Sequence, residues 1–331
     1  DAHPTVDLLS NGLFFKWMNM TLTELRYIVA LAREKHFGKA AAACFVSQPS
    51  LSVGIKKLEQ ELGVTLFERS MADVHLTVMG QKVVAQAQRV LGEVAAIQSM
   101  VLADDNPAAG TLHLGMIYSI APYLLPLLMP QVMADAPELK LIVQENFTHK
   151  LLERVKQGSL DAAIVALPIN ESGLSVAGLY DEDFYVALAK NHRLAGAASI
   201  SPQALTNDDA LLVLGAGHCF RDQVLLTNPH IMPFKIEQEG LQKTFEGTSL
   251  ETLRHMAASG IGVTVLPALA VPSGGADDGL RYVPFAAPAP QRRVVLVWRK
   301  NYSREAACER LAELIRACGV AQMMGVECLQ N

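Results

Sequence analysis

From Thr111 onward, short apolar runs alternate with helical segments, and this alternation is the strongest constraint on how the chain folds. TLHLGMI, LKLIVQEN, LDAAIVAL, DFYVALA, ALLVLG, GVTVLP and RRVVLVW have strand length, while THKLLERVKQG, SLETLRHMAASG and SREAACERLAELIRACG carry apolar residues at helical spacing. Apolar strands separated by helices predict an α/β architecture with parallel sheets buried on both faces. The segment is long enough for two such lobes. Ligand sites in open α/β sheets lie beyond the carboxyl ends of strands, and in GAGHCFRDQVLLTN the pair His218-Cys219 directly follows the strand ALLVLG. On this reading alone Cys219 is a small buried apolar residue, a metal ligand or a reactive thiol.

Composition narrows the partners and the compartment. Half of the 331 residues are apolar, enough for two or three well-cored domains. Lys and Arg number 28 against 33 Asp and Glu, a formal charge of -5 that neither demands nor forbids nucleic acid, since basic patches can be local. Five cysteines (Cys44, Cys219, Cys308, Cys318 and Cys328) form an odd, widely spaced set without a C-x-x-C pair. That is neither a disulfide framework nor a zinc site, so no metal is expected and a reducing compartment is. Residues 1–17 lack the basic start and long apolar core of a signal peptide and read as an extension or tag ahead of Met18 or Met20. Leu114–Ala134 is uncharged over a membrane-spanning length, but Pro122, Pro126 and Pro130 argue against a lipid-exposed helix. A buried strand, a turn and a short helix are expected there, and no membrane partner.

From Thr21 to about Val78 the pattern is of short helices. Thr21 and Glu24 make a capping box ahead of Leu25, Ile28 and Leu31. A short Ala-rich helix, Lys39 to Cys44, precedes VSQPSLSVGIKKLEQELG, in which Ser47 caps a helix with Pro49 in its first turn. Leu51, Ile55, Leu58 and Leu62 share one face, leaving Gln48, Ser50, Ser52, Val53, Lys56 and Lys57 on the outer side. Two helices joined by a tight turn, the second presenting uncharged hydrogen-bonding residues and lysines, match a helix-turn-helix. LFERSMADVHLT reads as a two-stranded wing with Arg69 placed to meet a phosphate. An ordinary helical subdomain with a solvated polar face carries a similar pattern. After Thr77, the residues Val83, Ala87, Val90, Val94, Ile97 and Val101 form a heptad seam. It precedes the polar linker ADDNPAAG, and its position favours a dimerising helix over one packed on its own domain.

FGKAAAACFVSQPSLSVGIKKLEQELGVTLFERS, followed by LTVMG and the long helix, resembles the N-terminal domain of LysR-type transcriptional regulators. The remainder is similar to their two-lobed effector domain, so the resemblance spans roughly residues 20 to 318. APYLLPLLMP, ENFTHKLLERVKQGSLDAAIVAL, GHCFRDQ and TSLETLRHMAASGIGVTVLPALAVP are similar to its hydrogen-peroxide-sensing members.

The resemblance implies a winged helix-turn-helix DNA-binding domain over residues 18–77, a dimerisation helix and hinge over 78–110, an α/β effector domain over 111–320 and a tail over 321–331. The effector domain would consist of two Rossmann-like, periplasmic-binding-protein-like lobes, one of residues 111–182 and 285–318, the other of 183–284. The implied protein is a cytoplasmic homotetramer, a dimer of dimers. It binds double-stranded DNA of two-fold symmetry and RNA polymerase, senses hydrogen peroxide without a cofactor, and is a regulator rather than an enzyme. By motif, Cys219 would be the peroxidatic cysteine, with Ser119, Thr148, His218, Arg292 and Asp222 around the peroxide. Gln48, Ser50, Ser52 and Lys56 would read bases, with Lys57 and Arg69 on phosphates.

One position breaks the pattern. In the peroxide-sensing members a second cysteine, nine residues after the first, resolves the oxidised sulfur into a disulfide; here that position is Asn228. The options are a one-cysteine sensor, resolution by a distant thiol, or loss of the peroxide response. A regulator gated by a reversibly bound small molecule and a thiol peroxidase also stand as alternatives.

Overall fold

The computed structural model describes residues 20–69, 74–102, 106, 108–169, 172–231, 235–238, 241–244, 249–272 and 278–320. Contacts divide the chain into two units, the first ending at Gln98 and the second beginning at Ser99.

The first unit is a helix-turn-helix with a wing. Helix α1 (Leu22–Glu34) opens on a complete capping box: Glu24 N donates to Thr21 Oγ1 and Thr21 N to Glu24 Oε2. Helix α2 (Phe37–Ala43) is capped by His36, whose Nδ1 accepts from the backbone of Gly38 and Lys39. Helix α3 (Gln48–Leu62) starts at Ser47, whose hydroxyl accepts from Ser50 N, and stops at Gly63, where φ of +67° suits a residue without a side chain. Strands β1 (Phe67–Arg69) and β2 (Val74–Leu76) pair antiparallel as the wing. Leu25, Ile28, Leu31, Leu51, Ile55 and Leu58 meet in one core.

Helix α4 (Val78–Leu102) corrects part of the seam reading. Ala87 is buried in the core of the first unit, and Val83 and Val90 pack against it, because that flank of α4 covers the helix-turn-helix. Ile97, by contrast, is 60% exposed. The side chain of Val101 lies outside the described residues.

Lys57 is exposed, and its Nζ lies 2.8 Å from Glu24 Oε1 and 3.5 Å from Glu61 Oε1, so the ammonium also ties α3 to α1. Burial alone would raise the Glu24 carboxyl. The hydrogen bonds from Lys57 and Thr21 outweigh it and hold the group below the usual carboxylate range. A depressed carboxyl pKa contributes stability above the unfolded-state value and loses it as pH falls through the folded-state value. Lys57→Ala is therefore expected to speed amide hydrogen exchange in α1 and α3 at neutral pH, with the difference from the parent closing once Glu24 is protonated in acid.

The second unit is an α/β domain of two lobes. Its strands are β3 (Gly110–Met116), β4 (Leu139–Glu145), β5 (Ala162–Ala166), β6 (Leu174–Ala189), β7 (Leu211–Leu212), β10 (Val263–Pro267), β11 (Leu280–Pro284) and β12 (Gln291–Arg299), with β8 (Lys235–Gln238) and β9 (Leu241–Thr244) as a separate antiparallel pair. The large sheet runs β4-β3-β5-β12-β6-β10-β7, with β11 also on β6. Strand β6 changes partners midway: Leu174–Asp183 pairs with β12, and the rest pairs with β10 and β11. One core therefore forms on each side of that change, around Leu114, Ile164 and Leu296 in one lobe and Val186, Leu266 and Val224 in the other.

The sheet is mixed rather than wholly parallel. Pairs β3–β4, β3–β5 and β7–β10 are parallel, while β6 and β12, which carry the chain between lobes, run against their neighbours. The apolar stretch after β3 forms a longer helix than expected, α5 (Ala121–Asp135), despite three prolines. Pro122, Pro126 and Pro130 recur every fourth residue and are all exposed, opposite the buried Leu124, Leu128 and Val132. The carbonyls they leave unpaired thus face water. Helices α6 (Thr148–Gln157), α7 (Cys219–Thr227), α8 (Leu250–Ala258) and α9 (Glu305–Ala317) complete the unit. No helix among the described residues is long and apolar enough to cross a membrane.

Candidate functional site

Three short segments converge where the parallel strands of the first lobe end. Ile117–Ser119 follows β3, Asn146–Thr148 links β4 to α6, and Gly217–Phe220 enters α7 from the second lobe; together they line a cavity of about 10 Å³. That is room for little more than one water-sized molecule. Cys219 is the first residue of α7, half-buried and free, and packs against the first-lobe core, whereas Phe220 is buried in the second. Gly217 adopts φ of +94°, and a side chain there would meet the Phe147 ring at 3.4 Å, so only glycine turns the chain into α7 at this point.

Arg292 sets the floor of the site. It faces Glu182 across the β12–β6 ladder and is 3% exposed, while the next residue, Arg293, points to the other face and pairs with Asp181 in solvent. Arg292 Nε donates to Glu182 Oε2 at 2.7 Å, Nη1 to Ser119 Oγ at 2.8 Å and Nη2 to Ser119 O at 2.9 Å. Its guanidinium carbon also stands 5.0 Å from the centre of the Phe220 ring. Because Ser119 Oγ already accepts from Arg292, its own O–H is free to donate elsewhere.

The other groups are arranged for a small polar guest. Thr148 Oγ1 is buried without a hydrogen-bond partner among the described residues, although it lines the cavity. A buried hydroxyl left in that state marks a place for a bound donor or acceptor. His218 packs edge-on to Phe147 with ring centres 4.9 Å apart and tilts against Tyr118 at 5.6 Å. Burial lowers its pKa, so the imidazole is neutral near neutral pH and adds no standing positive charge beside the sulfur. The buried cation beside the cavity is Arg292. Asp222 is not brought in: it is exposed in the first turn of α7, outside the cavity lining. Tyr118 and Glu182 belong to the site but lie in no motif read for chemistry, whereas Asn146 and Phe147 stand in ENFTHKLLERVKQG without having been singled out. The pairing of Glu182 opposite Arg292 becomes visible only once the strand register is known.

The candidate nucleic-acid face lies on α3. Gln48, Ser50 and Lys56 are exposed and Ser52 is half-buried, on the side away from the buried Leu51, Ile55 and Leu58. Arg69 closes β1 opposite Val74, and its side chain lies outside the described residues.

Comparison with known proteins gives these two sites their context. Residues 22–81 match the family described as the bacterial regulatory helix-turn-helix protein, lysR family, and residues 105–318 match the LysR substrate binding domain. The chain is a member of the LysR family of transcriptional regulators. The DNA-binding transcriptional dual regulator OxyR of Escherichia coli K12 is 41% identical over 299 residues, 90% of this chain and 95% of its own. Among solved structures, a full-length OxyR variant from Pseudomonas aeruginosa has 48% identity and a TM-score of 0.79, covering 95% of this chain and 99% of its own. A hydrogen-peroxide-bound OxyR mutant from Corynebacterium glutamicum has 32% identity and a TM-score of 0.61, covering 94% of this chain and 98% of its own.

In this LysR-family chain the other described cysteines sit in unreactive settings. Cys308 is fully buried, and burial followed by the charge of Asp161 pushes its thiol up to about 12. Cys318 is buried with Sγ donating to Ile315 O at 3.0 Å, and burial also raises the thiol of Cys44. Cys328 lies outside the described residues. Asn228 is fully buried as the C-cap of α7, its Nδ2 donating to Val224 O at 3.0 Å. The segment after Gln223 is thus helix and cap, not an open loop, and nine residues of α-helix separate Cys219 from Asn228 by about 13 Å. A disulfide tolerates roughly half that Cα separation. Among the described residues no group of three His, Cys, Asp or Glu side chains is placed to hold a metal ion.

The buried ion pair yields a direct test. Arg292→Met leaves Glu182 charged and unpaired at 0% exposure, so it should destabilise the second unit by about 3–5 kcal/mol in urea denaturation. A loss below about 1 kcal/mol would mean that the pair does not hold the site together.

Proposed function

We propose that the chain is a peroxide-responsive transcriptional regulator in which Cys219 is oxidised by hydrogen peroxide and the resulting change in the effector domain alters DNA binding. The observation that carries this reading is the cavity itself: a free thiol, a hydroxyl locked by Arg292 and a partnerless hydroxyl around a space of about 10 Å³. The small polar lining suits a guest of peroxide size.

In the reaction, the Cys219 thiolate attacks one peroxide oxygen, the S–O bond forms as the O–O bond breaks, and the departing hydroxide takes a proton to leave as water. The sulfur sits at the amino end of α7, where the helix favours negative charge. Ser119 and Thr148 hold the two oxygens, and Arg292 keeps Ser119 oriented. The sulfenic oxygen then occupies a cavity walled by both lobes, so the chemistry displaces one lobe relative to the other. Asn228 offers no thiol, which makes this a one-cysteine switch at its first step.

On the DNA side, Gln48, Ser50, Ser52 and Lys56 read base edges, with Arg69 on the backbone. The second half of α4 pairs two chains on a two-fold site, and effector contacts join two such dimers into a tetramer that engages RNA polymerase in the cytoplasm and activates oxidative-stress genes.

Stoichiometric peroxide should add one oxygen at Cys219, trappable there by a dimedone-type probe, and excess peroxide should carry it on to the sulfinic acid. Cys219→Ser should leave the fold intact and DNA binding blind to peroxide. Peptide mass spectrometry that finds no added oxygen or probe at Cys219, with free thiol undiminished, would overturn the peroxide reading.

A further inference from the structure

The recognition helix carries one exposed side chain that the polar reading of its surface leaves unexplained. Val53 is 67% exposed on α3. At about 3.6 residues per turn it lies opposite the buried stripe of Leu51, Ile55 and Leu58, at the outward pole of the helix. The exposed groups flanking it, Ser50 and Lys56, are polar. Its neighbour Gly54 pins the rotation of the helix: a Cβ there would come within 2.8 Å of the Tyr27 ring on α1, so this contact turns Gly54 toward α1 and Val53 outward.

The chemistry of a major groove then limits what Val53 can meet. Base edges there offer hydrogen-bond donors and acceptors and a single apolar group, the 5-methyl of thymine. A valine can use only the last, and its branched side chain has little rotamer freedom to lose on docking. We propose that Val53 is a specificity-determining residue that packs against a thymine 5-methyl in the bound DNA. The proposal rests on the DNA-binding reading of α3 and goes beyond it by assigning one position of the site to methyl recognition. 5-Methylcytosine presents the same methyl in the same groove, so the residue also makes that position sensitive to cytosine methylation.

The test uses full-length protein and duplexes that it selects from a randomised pool. Each thymine of the enriched site is replaced singly by deoxyuridine, which removes only the methyl. At one position per half-site the parent should bind about threefold to fourfold more weakly, the effect of exposing one buried methyl. Val53→Ala should erase that difference while binding the uracil duplex as the parent does, and Val53→Ile should retain it. Cytosine at the same position should be bound better when 5-methylated. An undiminished thymine preference in Val53→Ala overturns the assignment. So does its loss in Phe45→Ala alone, since Phe45, 96% exposed in the turn before α3, is the rival apolar contact. Enrichment of no sequence at all would instead overturn the DNA-binding reading, and the valine assignment with it.

Discussion

The buried guanidinium of Arg292 is the interaction on which the effector site depends. A cation at 3% exposure is costly unless it is paired and hydrogen-bonded, and here Nε meets Glu182 while one N–H of each Nη meets Ser119. Glu182 is completed in turn by the backbone N–H of Leu269 at 2.9 Å. One side chain therefore joins β12 to β6, fixes the turn after β3, and lies against Phe220 beside Cys219. Helix α7 has no side-chain cap at its start, and the Arg292 contact with Phe220 is what links the network to the helix that carries Cys219. Gln223, one turn further along α7, adds a hydrogen bond from Nε2 to Leu167 O at 3.0 Å, tying the helix to the end of β5.

Much of the architecture was legible in the chain because its signals are local. The Thr21 capping box, the Ser47 cap and the apolar periodicities each depend on neighbours within a turn or two, and the structure forms them as the residues imply. Less legible were the positions whose meaning is set from afar. Lys57 sits on the outer side of α3 in any helical projection, and only the path of α1 brings Glu24 within 2.8 Å of it. The valines of α4 repeat as a dimer seam would, yet their first half covers the core of the same unit. Within the site, Ser119, Thr148, His218 and Cys219 were found through motif resemblance, whereas Glu182 needed the β6–β12 register, and Asp222 was placed by proximity in sequence to a cavity that its side chain does not line.

The cysteines separate by the same physics. Cys308, in the first turn of α9, is buried where desolvation disfavours the thiolate, and Cys318, its C-cap, is buried with Sγ on Ile315 O; among the described cysteines Cys219 stands at a helix start beside polar groups. Asn228 closes α7, so the helix that starts at Cys219 holds no second thiol. In the proposed function the coupling from oxidation to conformation rests on how tightly the small cavity is walled.

In the proposed function the partnerless hydroxyl of Thr148 is the group that would bind peroxide in the cavity. The deciding measurement is the second-order rate of Cys219 thiol loss in Thr148→Val, a change of nearly equal volume, with hydrogen peroxide and in parallel with iodoacetamide. A drop of at least tenfold with peroxide is expected, on the order of the effect of losing one oriented hydrogen bond in a desolvated site, with an alkylation rate close to that of the parent. Equal rates with peroxide in Thr148→Val and parent would contradict that role of Thr148.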